Sequence, residues 1–335
     1  MGLSWTDRIE EIPTDVWEGA LSRSLRPTPF LSPGFLLPWA EAFAGNRPRR
    51  IARWEDGGRT RGLLFLCRRG GTEGWELLGG EDVSDSLDAV VEAGAEARFW
   101  AELLGSEGAA GLLADGPLRL PNLVEGSPSL AVLPGVCAGL GHEFRLEEAD
   151  RSPFVTLAAS YEGWLEGLGG KARHELRRKT RRAAEGAPGL SFRVVRTAGE
   201  LARDFPSFVA LHRRSHPEKG EFMDDRMAGF FRAVAAAFLE TGRLRLAFLS
   251  LAGGDVASAF QIAWDGAFLL YNSGFDPRYR ELTPGLLLLS RCIEEAIREG
   301  MREYDFLRGR ERYKYDLGGR DRIVYRATIG APAAR

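Results

Sequence analysis

Seven consecutive residues near the end of this chain, Arg308-Gly309-Arg310-Glu311-Arg312-Tyr313-Lys314, bring together four cations, a phenol and a carboxylate. Cations at that density hold a phosphate or a developing oxyanion, and a phenol or carboxylate moves the proton that group transfer releases. Lys314 and Arg308 are the candidate cations, and Tyr313 is the candidate proton donor or substrate wall. Asp276, Glu218 and Glu311 are alternatives for a general base. Lysine is scarce: Lys171, Lys179, Lys219 and Lys314 stand against 41 arginines, which singles out Lys314.

These groups need a scaffold, and the stretch upstream supplies one. A strand ends at Phe275, and a polar loop then carries Asp276, Arg278 and Arg280. Thr283 stands at an N-cap position with Pro284 as the first helical residue, and Gly300 is placed as a C-terminal stop. Leu286, Leu289, Ile293 and Ala296 recur at helical spacing, so one face of this helix packs on a sheet. A short apolar run, Tyr304 to Leu307, follows as a strand. In open α/β sheets anions collect where strand ends meet helix starts, because unpaired N–H groups and the helix dipole favour negative charge. Arg278, Arg280, Thr283, Gly285 and Leu286 are therefore the candidate phosphate-binding set, with the N–H groups of Gly285, Leu286 and Leu287 as donors. A capped helix with solvated arginines is the plainer alternative.

A second concentration of charge, KARHELRRKTRRAAE, lies in a helix predicted over Tyr161 to Ala184 and broken at Gly169-Gly170. Arg173, Arg177 and Arg181 fall four apart on one face, with Ala172, Leu176, Thr180 and Ala183 as an apolar stripe opposite. Seven cations within twelve residues, with one glutamate (Glu175), repel by roughly 0.2–0.5 kcal/mol per like-charged pair one turn apart. The ridge reads either as a solvated face or as a binding surface for phosphates of a nucleotide, coenzyme or RNA. Aromatic residues for base stacking are missing from it, so DNA binding is not expected. Arg173, Arg177, His212, His216, Glu218 and Gln261 form the candidate substrate-binding set. His212 and His216 lie four apart without an HExxH glutamate, so no metal is expected.

At 335 residues the chain exceeds what one core usually supports and suits two domains, read as 1–150 and 151–335. The second contains the basic helix 171–185 and the ligand loop 276–286. A composition of 44% hydrophobic and 27% charged residues is that of a globular protein. No apolar run reaches about 18 residues, and the first 18 are acidic, so neither membrane insertion nor a signal peptide is expected and the cytoplasm is the predicted compartment. Cys67, Cys137 and Cys292 have no CxxC partner and read as buried thiols. Residues 1–150 carry 14 Lys and Arg against 24 Asp and Glu, a net −10, whereas 151–335 carry a net +8. That asymmetry puts a phosphate-bearing ligand on the second half.

The remaining segments alternate. A helix is predicted over Phe30 to Ala44, then strands Arg49 to Glu55 and Thr60 to Cys67 joined by Asp56-Gly57-Gly58. Strand Trp75 to Leu78, helix Leu87 to Leu104, strand Gly111 to Ala114, helix Ser129 to Leu140 and strand Glu143 to Leu146 follow. Glu81, Asp82, Asp85 and Asp88 are given a structural role. Beyond a strand at Pro153 to Leu157 and the basic helix come strand Ser191 to Arg196 and helices Glu200 to Ser215 and Asp224 to Glu240. Arg243 to Leu251, Val256 to Trp264 and Ala267 to Phe275 form a meander through glycine turns. A last strand is predicted over Ile323 to Ile329.

This order, with a ligand loop between the third meander strand and its helix, resembles the GNAT acyltransferase fold. The phrases LLGGEDVSDSLDAVV, GKARHELRRKTRRAAE, LHRRSHPEKGEF, GFDPRYRELTPGLLLLSRCIEEAIREG and YDFLRGRERYK resemble the CelD/BcsL-like (BioF2-like) acetyltransferases, related to the FemAB aminoacyl transferases. The resemblance covers most of the chain. It implies an α/β (α+β) architecture of two tandem GNAT-like domains, with mixed central sheets flanked by helices. It also implies acyl transfer from an activated carrier to an amine or hydroxyl, of a small molecule or glycan, in cell-envelope or exopolysaccharide chemistry. Acyl-CoA would then be a co-substrate, no cofactor would be permanently bound, and charged tRNA is the alternative donor. A phosphate-binding protein without catalysis is the third reading. One departure stands out: CoA-using members carry Arg/Gln-x-x-Gly-x-Gly/Ala before this helix, and here the loop reads Arg280-Glu-Leu-Thr-Pro-Gly285.

Overall fold

The computed structural model describes residues 2–68 and 73–332; Met1 and 333–335, the outer ends of the two predicted domains, lie outside these. The chain divides into a first unit, Met1–Arg151 with Arg322–Arg335, and a second, Ser152–Asp321. The sequence reading placed everything after residue 150 in one domain. Residues 322–335 instead join the first unit, because the last strand pairs with a strand of that unit.

In chain order the elements begin with β1 (Gly2–Thr6), α1 (Thr14–Ser22), α2 (Pro33–Trp39), β2 (Arg49–Asp56), β3 (Arg59–Arg68), β4 (Trp75–Leu77) and β5 (Val90–Val91). They continue through α3 (Glu96–Leu104), α4 (Glu107–Ala114), β6 (Leu118–Val124), α5 (Pro128–Leu140) and β7 (His142–Thr156). Next come α6 (Tyr161–Gly167), α7 (Gly170–Gly186), β8 (Ser191–Val194), α8 (Ala198–Ser215), α9 (Pro217–Phe222) and α10 (Asp225–Glu240). The chain closes with β9 (Leu244–Leu251), β10 (Gly254–Trp264), β11 (Ala267–Phe275), α11 (Pro284–Arg298), β12 (Glu303–Asp305), α12 (Arg312–Asp316) and β13 (Arg320–Pro332).

The first unit orders its strands β1-β2-β3-β4-β6-β13-β7. Gly57 and Gly58, at φ 61° and 77°, close the β2–β3 hairpin in the left-handed region that its twist requires. The segment 87–95 is not helical as expected; α3 begins only at Glu96, after Gly94 has turned the chain at φ 83°. The strand expected at Gly111–Ala114 is the end of α4, whose N-cap Ser106 accepts from the Ala109 N–H. Between β4 and β6 the pairing is parallel and covers only Trp75 and Glu76. Past it the turn 78–89 packs against β6: Asn122 Nδ2 donates to the carbonyls of Glu81 and Ser84, and the Leu87 N–H to the Asn122 carbonyl. Asp88 is half-buried against the start of α5 and accepts from Ser127, Ser129 and the Ala89 N–H. Those bonds favour its carboxylate, yet burial dominates and raises its pKa. Glu81 pairs with Arg326.

The second unit orders its strands β7-β12-β11-β10-β9-β8. The meander β9–β10–β11 is antiparallel, as the glycine turns predicted, with Asp265 and Gly266 both at positive φ. Helix α11 lies on one face, burying Leu288, Leu289, Cys292, Ile293 and Ala296 against Ala257, Ala259 and Phe268. Helices α8 and α10 cover the other face, where Phe231 stacks on Tyr271, Phe260 meets both edge-on, and Phe208 packs against Phe231 and Phe260. Burying four such aromatic rings removes about 150–250 Å² each from water, which fixes β10 and β11 firmly between two layers. Strand β11 then meets β12 in parallel, but only over Ala267–Leu269 against Glu303–Asp305.

Candidate active site

The short β11–β12 pairing defines the site. From Leu270 to Phe275, β11 keeps β10 on one side while β12 has already ended, so its other edge is open. A cavity of about 270 Å³ lies along that edge. Its wall comes from Ser273, Gly274 and Phe275 of β11, the first turns of α11 (Pro284, Gly285, Leu286, Leu288, Leu289), Lys219 of α9 and Tyr313 of α12. A second cavity of about 180 Å³ is lined by Arg178, Lys179, Arg182, Arg280 and Glu281. The two share Arg280 and Thr283. One is mainly hydrocarbon and the other cationic.

Thr283 lines both cavities. It occupies the N-cap position of α11 but sits at φ 47°, ψ 51°, and its hydroxyl caps nothing. A β-branched residue in the left-handed region is a genuine outlier of the kind held at ligand sites. Its Oγ1 is buried without a hydrogen-bond partner among the described residues. Of the three N–H donors expected at this helix start, Leu287 already donates to the Thr283 carbonyl at 3.2 Å, which leaves Gly285 and Leu286. Arg280 is exposed and has no ion-pair partner among the described residues.

The basic helix contributes a different face from the one expected. Arg178, Lys179 and Arg182 line the cationic cavity, whereas Arg177 and Arg181 face solvent. Arg173 donates to the Glu166 carbonyl at 3.0 Å. Glu175 is drawn down to about 2 by its hydrogen bonds with Arg178, so it remains a carboxylate beside the cavity cations.

Several predicted residues stand elsewhere. Lys314 is 2% exposed, and its Nζ donates to the carbonyls of Leu307, Arg308 and Gly309 at 3.1, 2.5 and 3.2 Å, with Glu311 Oε2 at 3.0 Å. Its donors are spent on a loop that turns through Leu307 at φ 56° and Gly309 at φ 106°, so it is a clamp rather than a phosphate cation. Glu311 is committed to that ammonium, and Arg308 lines neither cavity. Asp276 is buried and accepts from the Arg278 side chain and N–H; these bonds hold its carboxyl low and leave it a poor base. Arg278 is correspondingly taken up. Gln261 is buried beneath α11, between Tyr304 and Cys292. His216 and Glu218 are solvent-facing, with Nδ1 and Oε2 3.8 Å apart. His212 is buried behind β11, where a Cβ on Gly274 would come within 2.5 Å of its backbone; burial lowers it to about 4. Tyr313 does reach the open cavity, and burial raises its phenol pKa, so it keeps its proton.

Lys219 was not among the candidates, although the scarcity of lysine that singled out Lys314 applied equally to it. No metal-ligand cluster is found among the described residues, and no helix among them is long and apolar enough to cross a membrane.

Residues 170–315 match the family model described as an acetyltransferase (GNAT) domain. The chain is similar in structure to FemX, with a TM-score of 0.67 over 98% of this chain and 97% of that one at 11% identity. It is also similar to L-PGS from Bacillus licheniformis (0.57, 95% and 91%, 12% identity). A third likeness is to a tandem GNAT protein from the clavulanic acid biosynthesis pathway (0.50, 99% and 100%, 15% identity). No curated protein matches the chain in sequence. The match over residues 170–315 supports acyl transfer by that segment, and the chain as a whole shares its fold with FemX and the tandem GNAT protein.

Proposed function

We propose that the second unit moves an acyl group from a phosphate-bearing activated carrier to an amine or hydroxyl. The carrier's phosphates lie against Arg178, Lys179, Arg182 and Arg280 and the Gly285 and Leu286 N–H groups. Its acyl arm runs along the open edge of β11 in the neighbouring cavity, beneath Leu286 and Tyr313. The observation that carries this reading is the meeting of a cationic cavity and an apolar one at Arg280 and Thr283. A ligand charged at one end and reactive at the other fills both.

The chemistry asks little beyond placement. The acceptor forms a bond to the acyl carbon, and the carrier's sulfur or oxygen leaves with a proton that Tyr313 is placed to supply or relay. Among the described residues no carboxylate lines the apolar cavity, so an acceptor entering with its lone pair free meets the acyl carbon mainly through proximity and orientation. Acyl-CoA and aminoacyl-tRNA both fit this description, with a small molecule or glycan as acceptor. The exposed Arg177 and Arg181, extending the cationic surface of α7 beyond the cavity, favour the longer polyanion, aminoacyl-tRNA. The CelD/BcsL-like resemblance supports the coenzyme instead and points to cell-envelope or exopolysaccharide chemistry in the cytoplasm. Calorimetric titration with acetyl-CoA and with alanyl-tRNA separates them: one of the two binds with an affinity that falls as salt rises. Binding by neither refutes the proposal.

A further inference from the structure

Among the described residues the wall of the apolar cavity holds two charged groups, which differ in role. Arg280 stands where the cavity meets its cationic neighbour; Lys219 belongs to the wall made by β11 and Tyr313. Lys219 Nζ donates to the Ser273 carbonyl at 2.6 Å. That carbonyl lies on the stretch of β11 that β12 leaves unpaired past Leu269. The Ser273 N–H is taken by Asn272 Oδ1 at 2.9 Å, and Tyr313 hydrogen-bonds the Ser273 side chain. Ser273 O is the one hydrogen-bond partner of the Lys219 ammonium among the described residues, which leaves two of its three N–H bonds.

A lysine in a wall that includes Phe275, Pro284, Leu286, Leu288 and Leu289 gives up hydration that one carbonyl does not replace. A neutral donor would satisfy Ser273 at lower cost, so the charge calls for a ligand. We propose that Lys219 is a catalytic residue of this cavity: its ammonium, anchored on Ser273, donates to the acyl carbonyl oxygen and stabilises the oxyanion formed as the acceptor adds. This rests on the donor reading above. As the acceptor bonds to the acyl carbon, the carbonyl π pair moves onto oxygen beside Lys219. Its return expels the carrier's sulfur or oxygen, which departs with the acceptor's proton, and Lys219 keeps its own proton throughout.

The groups facing Lys219 are His212 of α8, Arg280, and Glu311, Tyr313 and Lys314 at α12. Burial lowers the Lys219 pKa, Glu311 opposes that shift and Lys314 adds to it. The ammonium is therefore lost at lower pH than in an ordinary lysine, and its help fades as pH rises.

The test compares wild type, Lys219→Met and Lys219→Arg with acetyl-CoA and alanyl-tRNA, measuring binding by calorimetry and, with a panel of small amines as acceptors that wild type uses, donor cleavage by single-turnover quench. Lys219→Met is expected to bind donor within about threefold of wild type but to cleave it about 10²–10³ times more slowly. Lys219→Arg keeps the Ser273 bond, recovers part of that rate and moves the alkaline fall to higher pH. Equal cleavage rates in wild type and Lys219→Met overturn the proposal alone. Should Lys219→Met fail to fold, ¹⁵N-lysine spectra of wild type decide, since a chain with four lysines gives an assignable Nζ set. A Lys219 resonance unmoved by bound donor overturns the assignment. Wild type that binds neither donor overturns the donor reading and this proposal together.

Discussion

Replacing Lys314 by methionine separates two accounts of the cationic segment 308–314. In the structure the ammonium holds three carbonyls and one carboxylate with almost no exposure. Each charge-assisted bond contributes about 1.5–3 kcal/mol when its partner is left unsatisfied. Only the Leu307 carbonyl bond is fully buried, while those to Arg308 and Gly309 are part-buried and can rehydrate. Glu311 is 54% exposed, so its pairing adds at most about 1 kcal/mol. Removing the ammonium also removes its burial penalty. The net loss is about 3 kcal/mol, which for a unit of this size lowers the melting temperature by about 6–12 °C. Differential scanning calorimetry measures that shift, and titration with acetyl-CoA or alanyl-tRNA below the transition measures the site. Lys314→Met should melt early and, once folded, bind donor within about fivefold of wild type. A melting temperature within about 2 °C of wild type, combined with a hundredfold loss of affinity, would refute the clamp and make Lys314 a ligand cation.

The other predictions concern the layer behind β11. His212 is neutral in the fold because burial lowers it to about 4 from an ordinary 6.5. Below pH 6.5 the unfolded chain takes up a proton that the folded one refuses, so stability is full above that pH and declines as pH falls toward 4, by up to about 3 kcal/mol. Urea midpoints between those pH values should fall in wild type and stay nearly level in His212→Phe, whose ring fits among Phe208 and Phe222; parallel curves would contradict the assignment. Gly274→Ala puts a methyl 2.5 Å from the His212 backbone, so it should destabilise by about 2–3 kcal/mol or more and displace β11 from α8. An unchanged denaturation midpoint would show that α8 yields freely.

Where local chemistry decided the outcome, the sequence was legible. Asp56-Gly57-Gly58 and Asp265-Gly266 carried their hairpins, and Pro284 with Gly300 bounded α11 to within a residue or two. Strand β6 escaped notice because LRLPNLV contains a proline and Asn122 at φ 57°, both atypical of strands. Its parallel pairing with β4 is a tertiary fact. Gly111 to Ala114 read as a strand by their apolar character alone; they are the last turn of α4, which Ser106 caps. Arg280, Thr283, Gly285 and Leu286 are near neighbours in sequence and line one cavity, which Tyr313 of α12 joins. Arg178, Lys179 and Arg182 could not be preferred over Arg173, Arg177 and Arg181, since only the docking of α7 decides which side faces the loop 277–282. Lys219 and Lys314 look alike in sequence. Backbone carbonyls that the chain alone does not reveal set their different roles.

The central claim is that a phosphorylated carrier is gripped at the junction of the two cavities, and Arg280 is the charged residue common to both. Calorimetric titration of wild type and Arg280→Glu with acetyl-CoA and with alanyl-tRNA, at about 50 and about 200 mM salt, tests it directly. The account predicts that the donor bound by wild type is bound at least about tenfold more weakly by Arg280→Glu, with a shallower salt dependence. Equal affinity in the two proteins, or a wild-type affinity indifferent to salt, would contradict it.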